Sequence, residues 1–156
     1  MAWRAAVGLV LAWAVCAHAQ GPAARTHPVA LDAIFPPPPS RAWETISDRP
    51  EIPDPAERAR GLLGSAARHY TRARGPVSEV CTVELWSFAT PAQAEGARAA
   101  VAQPTWWGRA AGAQLVLAHG VRLDRARGAR DELSPECVSL AEAAHARALA
   151  TLRRAD

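Results

Sequence analysis

The sequence predicts an α+β fold: a small antiparallel or mixed sheet with about three helices packed on it, preceded by a proline-rich extended arm. Two observations lead to this class. After residue 54, segments with apolar residues at helical spacing alternate with segments rich in Val, Thr and aromatic residues. Eight of the thirteen prolines lie between residues 20 and 54, and proline disfavours regular hydrogen-bonded structure.

Residues 1–19 have the three parts of a cleavable secretory signal peptide. The first four residues end on Arg4, residues 5–15 are uninterrupted apolar, and Ala17-His18-Ala19 provides a small-x-small cleavage signal before Gln20. An apolar stretch of eleven residues spans about 16 Å as a helix, at about 1.5 Å each, whereas a bilayer core is about 30 Å thick. We therefore expect an exported chain, periplasmic or secreted, with no transmembrane segment after cleavage.

Cys16 leaves a second interpretation of this segment open, a lipoprotein anchored through that cysteine. The residues before it, Trp13-Ala14-Val15, place a bulky aromatic and a branched side chain where Leu and a small residue are usual. Cleavage after Ala19 is therefore the preferred interpretation.

Residues 20–54 form the predicted arm, which contains the run Pro36–Pro39. Such a run is also compatible with a polyproline ligand for a partner domain. The large apolar residues of the arm favour a strap over the domain, because a free linker has no need of them; they are Leu31, Ile34, Phe35, Trp43 and Ile46. The segment from Trp43 to Ile46 is expected to add a strand, because two strands alone bury too little apolar surface.

Residues 55–156 are expected to form a single small domain that begins with a helix. Asp54 is a suitable N-cap, Pro55 suits the first helical position, and Glu57 completes a capping-box pattern. Apolar or small residues then recur at helical spacing until Gly75-Pro76 stops the element. The pattern therefore predicts one helix from residue 54 to residue 74.

The rest of the domain is predicted as strand, helix, strand and helix, with the helices on one face of the sheet. The strands are Val77 to Phe88 and Ala113 to Leu123, which are rich in apolar residues, many of them β-branched. The middle helix begins at Thr90, followed by an N1 proline and a residue able to close the capping box, and ends near Gln103. A charged loop from Asp124 to Leu133 leads to Ser134, which opens the last helix.

The charge balance does not select an anionic partner. All eighteen basic side chains are Arg, and the net charge of +3 falls to +2 when Arg4 leaves with the signal peptide. An Ala- and Arg-rich chain without Lys is typical of a GC-rich genome, so the arginines are interpreted as a solvated surface. The densest charge cluster, residues 122–132, interleaves acids with arginines, and no nucleic-acid partner is expected.

Two cysteines, Cys81 and Cys137, remain after the signal peptide. An even number in an oxidising compartment predicts a structural disulfide. The alternatives are a thiol enzyme that uses Cys81 with a nearby histidine, or two free thiols. The cysteines are fifty-six positions apart and form no Cys-x-x-Cys motif, so a redox couple is not indicated.

The sequence contains no recognisable catalytic, cofactor or metal motif, and we predict none of the three. Its histidines after residue 19 are His27, His69, His119 and His145, without the local pairs that mark metal sites. Ser65 lacks the Gly-x-Ser-x-Gly context of a hydrolase. Glu84, beside Trp86, fits either a buried carboxylate or a solvent-facing edge.

Trp106-Trp107-Gly108-Arg109 is the candidate partner patch. Pro104 ends the preceding helix and Gly108 breaks the next element, so these residues are expected in a loop. Successive side chains of an extended backbone face opposite ways, which leaves one indole free to lie on the surface beside Arg109. The alternative has one Trp at each end of the core, and it is favoured because the chain has only two Phe and one Tyr.

Three groups of residues resemble a family of exported bacterial proteins of unknown function. They are Ile34-Phe35-Pro36 with Trp43, Gly64-Ser65-Ala66-Ala67 leading to Tyr70, and the run from Val83 to Ala94 closing on Gly96. The resemblance implies export and an α+β domain, and it assigns no functional residue.

The function most compatible with these observations is a non-enzymatic binding or structural module of the cell envelope, with an envelope protein as a candidate partner. The alternative is an envelope enzyme whose active site carries no recognised motif.

Overall fold

The structure of the chain, a computed structural model, describes residues 31–51 and 54–154. The predicted signal peptide, Cys16 and the first part of the predicted arm lie outside these residues. The described elements, in chain order, are α1 (Leu31–Ile34), β1 (Glu44–Glu51), α2 (Pro55–Ala59), β2 (Leu62–Arg74), β3 (Val77–Phe88), α3 (Pro91–Ala100), β4 (Trp106–Ala111), β5 (Gln114–Asp124), β6 (Gly128–Asp131) and α4 (Pro135–Leu152). The α+β class is confirmed.

The six strands form one antiparallel sheet in the order β1-β2-β3-β5-β4, with β6 also paired to β5. One edge of β5 pairs with β3 along its whole length, and the other edge is shared by β4 and then β6. The sheet is larger than the sequence predicts, because the sequence pattern does not indicate β2, β4 and β6 as strands. The strand expected around Trp43 to Ile46 is present as β1.

β2 corrects the largest error of the sequence prediction, which has a helix from residue 54 to residue 74. The cap at Asp54 and the capping box with Glu57 are present, but the helix ends at Ala59. Gly61 then adopts a φ of +89°, a backbone conformation that glycine tolerates. From Ala66 to Arg72 every second residue is buried, which is the period of a strand.

Arginine at inward positions hides this strand period in the sequence. The Arg68 guanidinium carbon lies 5.2 Å from the centre of the Phe35 ring, and that of Arg72 lies 4.4 Å from the centre of the Trp43 ring. Arg72 also forms ion pairs with Glu79 and Glu136. The two arginine side chains are 6% and 5% exposed, so cationic residues occupy positions where a pattern search expects apolar ones.

The remaining helix predictions are confirmed within a few residues. Thr90 and Gln93 form a capping box at the start of α3, and Ser134 accepts a hydrogen bond from the Cys137 amide at the start of α4. Both helices carry proline in the first turn, where the missing amide hydrogen costs no helical hydrogen bond. No helix in residues 31–51 and 54–154 is long and apolar enough to cross a membrane.

The helices lie on both faces of the sheet, which corrects the expectation of a single covered face. α4 covers one face and buries a core that includes Tyr70, Val83 and Val116. α3 lies on the other face over Phe88 and Leu117. Alternation along β3 and β5 sends successive side chains to the two faces, so each strand contributes to both cores.

The end of the predicted arm packs into the α4-side core. Ile34, Phe35 and Trp43 are 0%, 1% and 4% exposed, as a strap requires. Arg68 and Arg147 both donate to the Phe35 carbonyl, at 3.3 and 3.1 Å. Ile46 differs from the expectation, since it is 63% exposed. The side chain of Leu31, another residue of the predicted strap, lies outside the described part.

The predicted disulfide joins Cys81 on β3 to Cys137 in the first turn of α4. Their Cα atoms are 5.6 Å apart, within the range for a bridge. Both residues are 1% exposed. The bond therefore fixes the start of α4 to the centre of the sheet, on the face opposite α3.

Candidate functional site

Among the described residues, α3 covers one end of its face of the sheet, and polar side chains occupy the other part of that face. The register places His69, Thr82, His119 and Trp106 side by side on β2, β3, β5 and β4. Glu84 is the next residue on this face of β3. We call His69, Thr82, Glu84 and His119 the polar cluster; they line a small cavity of about 140 Å³.

Glu84 is the central group of the polar cluster. Its Oε2 accepts a hydrogen bond from Trp86 Nε1 at 2.8 Å, and its Oε1 accepts one from His119 Nε2 at 3.1 Å. Burial raises the pKa of the Glu84 carboxyl, but the bonds from His119 and Trp86 outweigh it, and the pKa lies below the ordinary value of 4.5. Glu84 is therefore a half-buried carboxylate that is ionised at neutral pH.

The two histidines of the polar cluster are held by neighbours on adjacent strands. The His119 ring stacks on the indole of Trp106, with ring centres 4.7 Å apart and planes 18° from parallel. His69 Nδ1 lies 3.0 Å from the Thr82 hydroxyl oxygen. Every member of the cluster thus has a protein partner, so the cluster forms an ordered polar wall on the sheet.

A larger apolar cavity adjoins this wall where α2 and α3 flank the end of the sheet. Its volume is about 410 Å³, within the range of about 300–1,000 Å³ that is typical of small-molecule sites. We call this cavity the groove. It is lined by Glu57, Arg60, Leu62, Trp86, Phe88, Gln93, Gly96, Ala97, Ala100 and Val101.

The groove exists because α3 presents small residues toward the sheet. A Cβ added at Gly96 would meet no atom within 4 Å, and Ala97 and Ala100 add only methyl groups to the same wall. Large side chains lie opposite, where Leu62 and Phe88 are each 6% exposed. The small residues of α3 therefore leave the groove open between the helix and the apolar side chains of the sheet.

Trp86 belongs to both parts of the site. Its ring lines the groove, and its Nε1 donates to Glu84 in the polar cluster. The even-numbered residues of β3 from Thr82 to Phe88 share this face. The strand therefore runs from polar to apolar along one continuous surface.

The candidate patch Trp106, Trp107 and Arg109 lies on β4, not in a loop. The two indoles face opposite sides of the sheet, as an extended backbone requires. Trp106 packs against the α3-side core, and Trp107 against the α4-side core with its ring edge-on to His145. The Arg109 guanidinium lies 5.5 Å from the centre of the Trp107 ring. Partner binding through this patch stays a prediction.

Sequence reasoning did not identify the groove or the Glu84–His119 pair. These two residues are thirty-five positions apart and meet only through the register of β3 with β5. Residues so far apart in the sequence do not form a local motif. The sequence shows only a carboxylate in one predicted strand and a histidine in another, each on one face of its strand. Among the described residues, no three His, Cys, Asp or Glu side chains form a set suited to a metal ion.

No family model, curated protein or solved structure matches the chain.

Proposed function

We propose that the chain is exported and acts outside the cytoplasm as a non-enzymatic binding module of the cell envelope, which takes a small apolar ligand in the groove. Export rests on the signal-peptide pattern of residues 1–19 and cleavage after Ala19. The bond between Cys81 and Cys137 is compatible with an oxidising compartment.

The observation that carries the proposal is the apolar cavity of about 410 Å³ between α2, α3 and the sheet. The groove is open to solvent, since its lining residues Arg60, Gly96 and Ala100 are exposed. An exposed apolar cleft of this size is typical of a ligand-binding site. The polar cluster meets the groove at Trp86, so the site is polar at one end and apolar at the other. A site with a few ordered polar groups beside apolar walls is the usual form of small-molecule recognition.

Filling the groove tests the proposal. Gly96→Leu places a branched side chain in space that no protein atom occupies, and it improves the intrinsic stability of α3 by about 0.8 kcal/mol. We expect the variant to unfold at a slightly higher temperature. It should bind the neutral fluorophore N-phenyl-1-naphthylamine at least about tenfold more weakly than wild type, a change of about 1.4 kcal/mol.

Ala99→Leu is the matched control, because Ala99 is exposed on the same helix and does not line the groove. It adds similar apolar bulk outside the site and should leave the fluorescence titration unchanged. Equal binding by wild type and Gly96→Leu, or no binding by wild type, would contradict the proposal.

A further inference from the structure

The polar groups at the rim of the groove indicate the charge of its ligand. Three polar side chains line the cavity: Glu57 and Arg60 from the α2 segment, and Gln93 from α3. Glu57 and Gln93 are the third residues of the two capping boxes. Each therefore has an acceptor oxygen engaged by backbone before any ligand arrives.

Each capping box uses an acceptor oxygen of its third residue, and at Gln93 this leaves the amide nitrogen as a donor. Glu57 Oε2 accepts from the Asp54 amide at 2.8 Å. Gln93 Oε1 accepts from the Thr90 amide at 3.0 Å, and this bond settles which end of the Gln93 amide is oxygen. The Gln93 Nε2 group is then a donor with no acceptor among the described residues.

Arg60 supplies a second set of donors on the same rim. Its Nε donates to the Ala56 carbonyl at 3.4 Å, and its terminal amino groups form no ion pair with a described residue. Gln93 lies directly over Gly61, where an added Cβ would clash with Gln93 Nε2. Arg60 directly precedes Gly61 in the chain, and the side chains of Arg60 and Gln93 both line the groove.

We propose that the occupant of the groove is a free aliphatic monocarboxylic acid of medium chain length. Its chain lies against Trp86, Phe88 and Val101, and its carboxylate accepts hydrogen bonds from Arg60 and Gln93 Nε2. A planar guanidinium matches a carboxylate in charge and geometry. This inference rests on the proposed function, because it names the ligand of the same site.

The negative charge of Glu57 would repel an anionic ligand. Removing this charge therefore tests whether the ligand is an anion. Its carboxylate also lines the groove, although one oxygen is engaged by the Asp54 amide. Glu57→Gln keeps an acceptor for that amide and removes the negative charge. The variant should therefore bind a carboxylate more tightly and a neutral ligand equally well.

Three probes of equal chain length separate the head groups. Octanoate, 1-octanol and octylamine are titrated at neutral pH against the full exported chain carrying N-phenyl-1-naphthylamine, and displacement is measured. We expect octanoate to displace the fluorophore at the lowest concentration and octylamine at the highest. Octanol should lie between them, because it fills the same apolar space without a charge.

Two variants remove the donors. Gln93→Glu keeps the capping box, for which Glu is a preferred residue, and replaces the amide donor by a carboxylate. Arg60→Gln removes the guanidinium, and Arg58→Gln is its control because Arg58 does not line the groove. Each donor variant should weaken octanoate about tenfold while leaving octanol unchanged, and the control should change neither.

The outcomes distinguish the ligand class from the proposed function. If octanol equals octanoate in wild type, or the donor variants weaken both probes alike, the acid is the wrong ligand and the groove remains a binding site. If the wild type binds neither the fluorophore nor any of the three probes, the proposed function fails together with this inference.

Discussion

Glu84 shows how a single carboxylate can be held charged on a half-buried surface. Two donors, the Trp86 indole and His119 Nε2, reach its two oxygens separately. Their hydrogen bonds favour the charged form more than burial disfavours it, which lowers the pKa of the carboxyl. A group whose pKa is lowered by folding stabilises the fold above its unfolded pKa. That contribution is lost as the pH falls through the folded pKa.

We therefore predict that Glu84→Gln flattens the acid limb of the stability profile. Between about pH 5 and about pH 3, the free energy of unfolding should fall more steeply for wild type than for the variant, because only wild type must protonate this carboxylate. Urea denaturation at a series of pH values measures both curves. Glu142→Gln, on the exposed face of α4, is the control and should follow wild type. Parallel curves for wild type and Glu84→Gln would refute the assignment.

At the scale of elements, capping chemistry was readable from the sequence and strand pairing was not. The starts of α2, α3 and α4 follow from Asp54, Thr90 and Ser134. The side chain of each accepts a hydrogen bond from the backbone amide three positions later. The length of α2 could not be read in this way, because alanine-rich residues beyond it fit a helical period as well as a strand. The tertiary contacts of Arg68 and Arg72 with two aromatic rings decide between the two.

The candidate site was missed for the same reason. Glu84 and His119 are ordinary residues of two separate strands until register brings them together. The groove depends on the absence of a side chain at Gly96. A single glycine in a helix is not a recognisable sequence motif. β4 was missed because Gly108 interrupts a short apolar segment. A larger residue would crowd the strand at this position, because a Cβ there would lie 2.9 Å from the Leu117 side chain of β5.

The disulfide is the covalent link between two elements that are distant in sequence. It closes a loop across fifty-six positions from the middle of β3 to the first turn of α4. The bridge restricts the unfolded chain and lowers its conformational entropy, and the effect grows with the length of the loop. The unfolded state is therefore less favourable when the bridge is present. The bridge therefore adds to the non-covalent packing of α4 on the sheet.

We predict that replacing both cysteines by alanine lowers the free energy of unfolding by about 4 kcal/mol at most. This is a large part of the total of about 5–15 kcal/mol for a small domain. Chemical denaturation of wild type and the double variant measures the difference. Thiol counting on denatured, unreduced wild type from a secreting host should find no free thiol, and finding two would contradict the bridge.

At the scale of the whole molecule, one sheet is shared by two unequal layers. α4, with eighteen residues, seals one face together with Ile34, Phe35 and Trp43. α3, with ten residues, covers only part of the other face and leaves the groove and the polar cluster beside it. More of the buried residues lie on the sealed face, and the groove lies on the face opposite the disulfide.

The proposed export gives a prediction for the complete chain. Protein recovered from a secreting host should have the intact mass of a chain that starts at Gln20, because Ala17-His18-Ala19 presents the cleavage signal. Cys16→Ala is the control for the lipoprotein alternative and should not change the recovered mass. Retention of residues 1–19, or a lipid mass on Cys16, would contradict cleavage after Ala19.

The position of β1 at the end of the sheet has a consequence for self-association. A free strand edge can recruit a strand from another chain and start aggregation. Four of the eight residues of β1 are charged, and Pro50 within it has no amide hydrogen to offer. At the other side of the sheet, β5 is masked by two short strands, and Arg130 and Asp131 end the shorter one. The edges at β1 and β6 are therefore poor templates for β-addition, and we expect little self-association through either strand.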